Sequence, residues 1–380
     1  MMRGGTYLRI MAEETTQPPR HKIVTDVDAV RVGDLVPSFG FLADAMTADD
    51  NIAAWREAVG TLFDVDELAV GESGPFRADL TSFVLGPVLL GFTRASAQRF
   101  RRTVDTIARS GVDHIIIQLY VRGGYEGVAG QRRMQVRPGD ICLFDLAQTL
   151  ETQATSFENV TMVVPRPKLA AYLPSLDALH GLVIPGTDVA GVLIGRHLQA
   201  LVDLAPSMMQ SECEMAVEAS IGLITACLRA ELQRTDLANS LGEDGDRLIR
   251  IKQHIEARLG EATLSGESIL RHFGLSRSVL YRLFAQHGGV EAYIRRRRLH
   301  RAFFDLTAPG TRAKEVARRW HLGSETSFHQ AFKAAYGITP KMARTVAQLS
   351  HDVGGDGTRT PRSILTHWIR STTAPQPDEG

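Results

Sequence analysis

The chain has 380 residues with 43 Lys plus Arg and 43 Asp plus Glu, so its formal charge at neutral pH is zero. That length favours two or three domains at the usual ~150 residues each, and a hydrophobic share of 44% excludes disorder throughout. No apolar run reaches the ~18 residues of a membrane span, no secretory leader is legible, and three scattered cysteines (Cys142, Cys213, Cys227) suggest reduced thiols in a cytoplasm rather than disulfides or structural zinc.

Residues 1–35 are polar, lack a clear period and read as a mobile leader, with Met11 a second candidate start. From about Phe41 to Asp66, the pattern DNIAAWREAVGTLF predicts one amphipathic helix with Asp50 as its N-cap. Short β-type runs follow: LTSFVLGPVLLGFTRA, HIIIQLYVRGGYEG, RMQVRPGDICLFDL and NVTMVVPR. Gly86-Pro87, Gly123-Gly124 and Pro138-Gly139 mark their corners, and no helix is expected between them, which favours an antiparallel sandwich or barrel. From about Pro167 to Arg234 the period becomes helical, with Pro206 separating two helices, and Thr235 to Gly245 reads as a linker. The last third is helical to about Ala347, and a loose tail containing the apolar patch SILTHWI follows.

The neutral total conceals a split. Gly245 to Arg344 carries 19 Lys plus Arg against 8 Asp plus Glu, a net of +11, so the remainder nets −11. Inside this basic segment lies an internal repeat. SILRHFGLSRSVLYRLF (Ser268 to Phe284) matches EVARRWHLGSETSFHQAF (Glu315 to Phe332), pairing Ile269 with Val316, Phe273 with Trp320 and Leu275 with Leu322. After one inserted residue, Leu280 pairs with Phe328 and Phe284 with Phe332. Each copy reads as helix, tight turn and second helix, with Ser276 and Ser324 placed as N-caps and Gly274 supplying a left-handed turn residue. His321 stands where Gly274's counterpart should be. Between the copies, GGVEAYIRRRRLHRAFFDLTAPG predicts a helix of about 17 residues, some 25 Å long at 1.5 Å per residue, enough to hold two reading helices about one DNA turn apart.

These segments, closed by Gly337-Ile338-Thr339-Pro340, resemble the DNA-binding domain of AraC/XylS-family bacterial transcription regulators over about 100 residues. The resemblance implies that Arg277, Ser278, Tyr281 and Arg282 lie on the first reading helix, and Glu325, Thr326, Ser327 and Gln330 on the second. Arg282 suits guanine, Gln330 adenine and Glu325 cytosine N4, whereas Tyr281 and Thr326 suit phosphate or a thymine methyl. Arg295, Arg296 and Arg297 are placed as candidates for phosphate, and Arg298 as a structural arginine. Two departures stand out: the family's second motif normally has Gly-Phe at His321-Leu322 and often arginine at Gln330, which shifts expected selectivity toward the first helix.

The strands before Arg166 resemble the cupin-like effector domain found ahead of this DNA-binding domain. The expected fold class is therefore α+β multidomain, with an N-terminal cupin-like β-barrel or sandwich and a C-terminal all-α tandem helix-turn-helix domain. The expected division is a leader (1–35), effector domain (36–190), helical dimerisation or linker region (191–244), DNA-binding domain (245–346) and tail (347–380). A metal-dependent cupin needs a His-x-His pair and a following Glu, whereas His114 and Glu126 lack that spacing. No metal or cofactor is expected. Strand alternation puts Ile116, Gln118 and Tyr120 on one face, which makes Gln118 and Tyr120, with Arg122 and Phe144 nearby, candidate effector contacts. Ordinary barrel packing explains the apolar members equally well.

The implied function is a cytoplasmic activator of transcription that binds double-stranded promoter DNA, answers to a small-molecule effector, contacts RNA polymerase and forms a homodimer. It needs no membrane. A regulator without an effector and a cupin-type enzyme fused to a DNA-binding domain remain the alternatives.

Overall fold

The computed structural model describes residues 35–352 apart from 43–47, 68–75, 174–175, 237–242 and 309. Residues 1–34 of the leader, most of the linker and the SILTHWI patch lie outside the described residues.

The strands are β1 (Ser38–Leu42), β2 (Asp64–Glu67), β3 (Ala78–Leu85), β4 (Val88–Ala95), β5 (Gln98–Arg102) and β6 (Ile115–Arg122). They continue with β7 (Tyr125–Ala129), β8 (Arg132–Val136), β9 (Ile141–Asp145), β10 (Leu150–Ala154), β11 (Phe157–Val164) and β12 (Leu182–Ile184). They form two antiparallel sheets, a seven-stranded one ordered β1-β3-β4-β11-β6-β9-β12 and a five-stranded one ordered β2-β5-β10-β7-β8. Helices α1 (Ala48–Val59), α2 (Val104–Ser110), α3 (Arg166–Ala170), α4 (Val189–Leu204) and α5 (Gln210–Asp236) complete this half.

The seven-stranded sheet is buried on both faces, which is why IIIQLYV reads as a nearly unbroken apolar run. On β6, Ile115, Ile117 and Leu119 meet Ile194 and Leu198 of α4 and Val217 and Ile221 of α5. Ile116 and Tyr120 turn the other way, into an inner core shared with the five-stranded sheet. Helices α4 and α5 thus share a core with the sheet instead of standing apart from it.

Three local expectations fail. Phe41 belongs to β1, and Asp64 to Asp66 pair with β5, so the first helix is only the twelve residues of α1 and already contains Asp50. Leu62 and Phe63 continue the helical spacing but close the chain back onto Val59 in a turn. Helix α2 does stand among the strands, started by a capping box between Thr103 and Thr106 and ended at Gly111. The segment Pro167 to Arg234 is not purely helical, because β12 adds to the edge of β9.

The C-terminal third is all helix: α6 (Glu243–Ala257), α7 (Gly266–Phe273), α8 (Arg277–Leu283), α9 (Val290–Thr307), α10 (Ala313–Arg319), α11 (Glu325–Tyr336) and α12 (Pro340–Asp352). The repeat is a pair of helix-turn-helix units, α7–α8 and α10–α11. Ile269, Leu280 and Phe284 are buried in one core, and Val316, Leu322, Phe328 and Phe332 in another. The 18-residue α9, about 27 Å long, contributes to both cores. Helix α12 runs past Ala347 to Asp352. The fold is α+β multidomain, a β-sandwich half followed by a helical tandem helix-turn-helix third.

The two turns solve one backbone problem differently. Gly274 takes φ +62° after α7, and its counterpart His321 takes φ +52°, unusual for a residue with a Cβ. His321 is held there by its Nε2, 2.8 Å from the Gly260 carbonyl oxygen, and the inserted Gly323 at φ +85° completes the longer turn. Open space surrounds a Cβ built on Gly274. Gly274→Ala is therefore expected to cost about 1–2 kcal/mol through the backbone alone, read as a lower urea midpoint of the full chain.

The halves also touch. Ile107 and Ala108 of α2 are buried in the core of the second helix-turn-helix unit with Leu299, Phe303 and Ala343.

Candidate nucleic-acid interface and sensor cavity

Each reading helix is fixed from behind and capped at its start. In α8, the Ser276 hydroxyl accepts from the Val279 backbone N–H at 3.4 Å, while Leu280 and Phe284 hold the inner face. Arg277, Ser278, Tyr281 and Arg282 are left exposed, and Tyr281 keeps 60% of its surface. In α11, the Ser324 hydroxyl accepts from the Ser327 N–H at 3.2 Å, with Phe328 and Phe332 turned inward. Glu325, Thr326, Ser327 and Gln330 are exposed. All eight residues assigned to DNA thus occupy the solvent faces of the two helices, the place base-edge and phosphate contacts require.

The arginine run on α9 divides by direction. Arg295 and Arg296 are exposed, and Arg296 sits over the Tyr293 ring at 5.7 Å. Arg297, 6% exposed, does not reach for phosphate: its Nε is 2.5 Å and its Nη2 3.2 Å from the Glu256 carboxylate. Arg298 donates to the carbonyls of Leu259 at 3.0 Å and Glu261 at 2.7 Å, closing the loop after α6.

In the N-terminal half, a cavity of about 90 Å³ lies between the sheets. Trp55, Phe63, Phe100 and Phe157 form its apolar wall, and Ser82, Thr93, Gln118, Asn159 and Thr161 a polar strip. Of the four expected effector contacts, only Gln118 lines it. Tyr120 is buried beside the rings of Tyr125 (5.0 Å) and Phe157 (5.6 Å), and burial pushes its hydroxyl pKa well up. Phe144 packs on Tyr125 and His180. Arg122 points to solvent at the strand end, 3.7 Å from Glu158. Arg122 follows Tyr120 at the spacing of one strand face, but the cavity closes before the strand ends. The other lining residues lie on α1 and the turn after it, on β3, β4, β5 and β11, and at Ile116 of β6, and the alternation Phe157, Asn159, Thr161, Val163 is a local signal only for those on β11.

A second cluster lies where the halves meet. The buried Arg166, at the start of α3, binds Asp113 at 3.3 Å and Asp145, with Asp177 at 3.9 Å. Asp177 also lies 3.7 Å from Arg297 of α9, which connects the two halves through ion pairs. His300 of α9 has both ring nitrogens buried without a hydrogen bond, and burial with Arg297 and Arg166 nearby holds its pKa well below the usual value. Gln253 of α6 donates to the Ala171 carbonyl across the same junction.

A profile described as an AraC-binding-like domain matches residues 55–229, and one described as a helix-turn-helix domain matches residues 269–345. The chain belongs to the AraC family. The two matched stretches of this AraC-family chain coincide with the sandwich half and the tandem helix-turn-helix third. The HTH-type transcriptional activator AarP of Providencia stuartii is 34% identical over 83 residues, 21% of this chain and 62% of the activator. The match therefore spans less than two thirds of that relative. Among solved structures, the AraC-like transcriptional activator CuxR aligns at 24% identity and TM-score 0.48, covering 70% of this chain and 94% of that one. Unsaturated fatty acid bound ToxT from Vibrio cholerae aligns at 10% identity and TM-score 0.37, covering 71% and 95%. Among the described residues, no helix is long and apolar enough to cross a membrane, and no group of three His, Cys, Asp or Glu could hold a metal.

Proposed function

We propose that this AraC-family chain is a sequence-specific, DNA-binding activator of transcription, controlled by a small-molecule effector held in the N-terminal sandwich. The observation that carries the reading is the pair of capped helices, α8 and α11, each presenting four polar residues to solvent from a segment with a net charge of +11. The partners are double-stranded promoter DNA, RNA polymerase and a second copy of the chain, in a cytoplasm. The exposed Val189, Leu193 and Leu204 of α4 support the second copy. The activator sense rests on the likeness to AarP.

The test is selection of bound fragments from the source genome by the full-length protein, followed by titration at several salt concentrations. Discrete sites should be enriched, and affinity should fall linearly in log–log form with salt, because phosphate contacts release counterions. Uniform binding to all fragments, or binding indifferent to salt, would overturn the reading.

A further inference from the structure

The inner cavity has a chemical character that narrows what can occupy it. None of its lining residues is an acid or a base. Two ionisable groups beside its lining, Cys142 at 3.7 Å from Gln118 and Tyr120 against the Phe157 ring, are kept protonated by burial, which pushes the thiol up to about 12 and the phenol well up. Charged groups are gathered elsewhere, with Arg77, Arg94 and Arg122 on the outer surface and Arg166 and Arg297 at the junction. A carboxylate or ammonium ion entering the cavity would lose its hydration and meet no countercharge, which is the costly way to bury a charge. Hydrogen bonding is available, however. Gln118 Nε2 donates to Thr161 Oγ1 at 2.9 Å, and Thr161 bonds on to Asn159 at 3.3 Å. The hydroxyls of Ser82 and Thr93 line the same cavity beside that chain and extend its polar strip.

We propose that this cavity takes an uncharged single-ring molecule bearing a hydroxyl or carbonyl group, and rejects carboxylates and ammonium ions. The inference rests on the reading of the cavity as the effector site and names the ligand class for it. The ring lies against the aromatic wall and the polar group meets the strip around Gln118. An engineered apolar cavity of roughly 150 Å³ takes benzene. The cavity here is smaller, about 90 Å³, which limits its occupant to a single ring.

Gly91 offers the means of testing this. It lines the cavity, and a Cβ built on it meets Ser82 Oγ at 3.4 Å and Leu80 Cδ1 at 3.6 Å, ordinary contacts. Gly91→Ala is therefore tolerated, and Gly91→Val carries two further methyls toward the free volume. The experiment titrates full-length protein calorimetrically with benzyl alcohol, phenol, benzoate and benzylamine at neutral pH, with thermal unfolding as a second readout. The neutral probes should bind and raise the unfolding temperature, and the two ions should bind about 30-fold more weakly or not at all. Gly91→Val should abolish binding of the neutral probes, and Gly91→Ala should weaken it while keeping the unliganded unfolding temperature. Benzoate or benzylamine binding as tightly as benzyl alcohol, or no neutral probe binding in a manner sensitive to Gly91, would overturn the proposal. The same titrations are repeated on protein bound to its preferred DNA. Neutral probes that fill the cavity without changing DNA affinity uphold the ligand class and refute the effector reading. Ions that change DNA affinity through a Gly91-sensitive site refute the class and uphold that reading.

Discussion

Arg166→Met is expected to cost about 3–5 kcal/mol of stability, because it removes the cation from a buried cluster and leaves its carboxylates behind. Arg166 is 2% exposed, and its partners Asp113 and Asp145 are 5% and 1% exposed, so water cannot replace the lost charge. Burial pushes the Asp113 carboxyl up, but the His114 ring 3.7 Å away and the Arg166 charge outweigh it and hold the group well below the usual carboxylate range. A folded pKa below the unfolded one stabilises the native state above the unfolded value of about 3.9, and that stability is lost as pH falls through the folded value. In the variant, the balance at Asp113 moves back toward burial and its folded pKa rises. The deficit should therefore be largest near pH 8 and shrink toward pH 5 as Asp113 takes a proton. Urea unfolding of both proteins at the two pH values reads this directly. A deficit that does not change with pH would mean that Asp113 keeps one protonation state across this range in the variant.

That cluster lies between the cavity and the helix-turn-helix units. Two strands that wall the cavity both end at it. Asp113 and His114 lead directly into β6, which carries Gln118, and β11 carries Asn159 and Thr161 before running through Pro165 into Arg166. From Arg166, Asp177 bridges to Arg297 on α9, the helix common to both helix-turn-helix cores. Helix α2 adds an apolar contact to the second unit through Ile107. An effector changes DNA binding only to the extent that it binds one arrangement of this junction better than another. The bridge is built of ion pairs with a half-exposed member, Asp177, and so can rearrange at lower cost than the fully buried Arg166–Asp145 pair.

The two halves were unequally legible in the sequence. The helix-turn-helix repeat could be read residue by residue because its signals are local: a cap at Ser276 or Ser324, a positive-φ turn, and apolar residues at fixed offsets. Even its misfit was visible, since His321 stands where the turn needs a left-handed residue and the structure gives it that conformation. The cavity was not legible in this way. Its wall comes from elements distant in sequence, with Trp55 of α1, Phe100 of β5 and Phe157 of β11 brought together only when the helix and the two sheets close. Alternation on β6 puts Gln118 and Tyr120 on the inner face, where both lie, but it does not show that Tyr120 is packed against Tyr125 and Phe157 rather than lining the cavity, nor that Arg122 lies past the end of the interior. Arg297 shows the same limit. A run of four arginines looks like one charged surface, whereas helical periodicity turns Arg297 and Arg298 inward, to Glu256 and to the carbonyls after α6.

Arg282→Ala is expected to weaken binding to the preferred DNA site by about 1–3 kcal/mol, a loss of roughly 5- to 150-fold, and to relax the choice of base at one position. Arg282 is exposed in the last turn of α8, while the helix is held by Leu280, Phe284 and the Ser276 cap, so the substitution should leave folding intact. The salt dependence separates the two roles an arginine can have here. Loss of a guanine contact lowers affinity for the preferred sequence and leaves non-specific binding nearly unchanged. Loss of a phosphate contact weakens all sequences alike and reduces the slope of log affinity against log salt by about one. Gln330→Ala provides the comparison on α11. Glutamine reads adenine through neutral hydrogen bonds and contributes nothing to counterion release, so its loss should leave the salt slope unchanged. If α8 sets most of the selectivity, Arg282→Ala flattens the preference at its position and Gln330→Ala leaves most of the preference intact. Binding selections from random DNA with the two variants measure both. Equal loss of preference would place the two helix-turn-helix units on an equal footing, despite the arginine that α11 lacks.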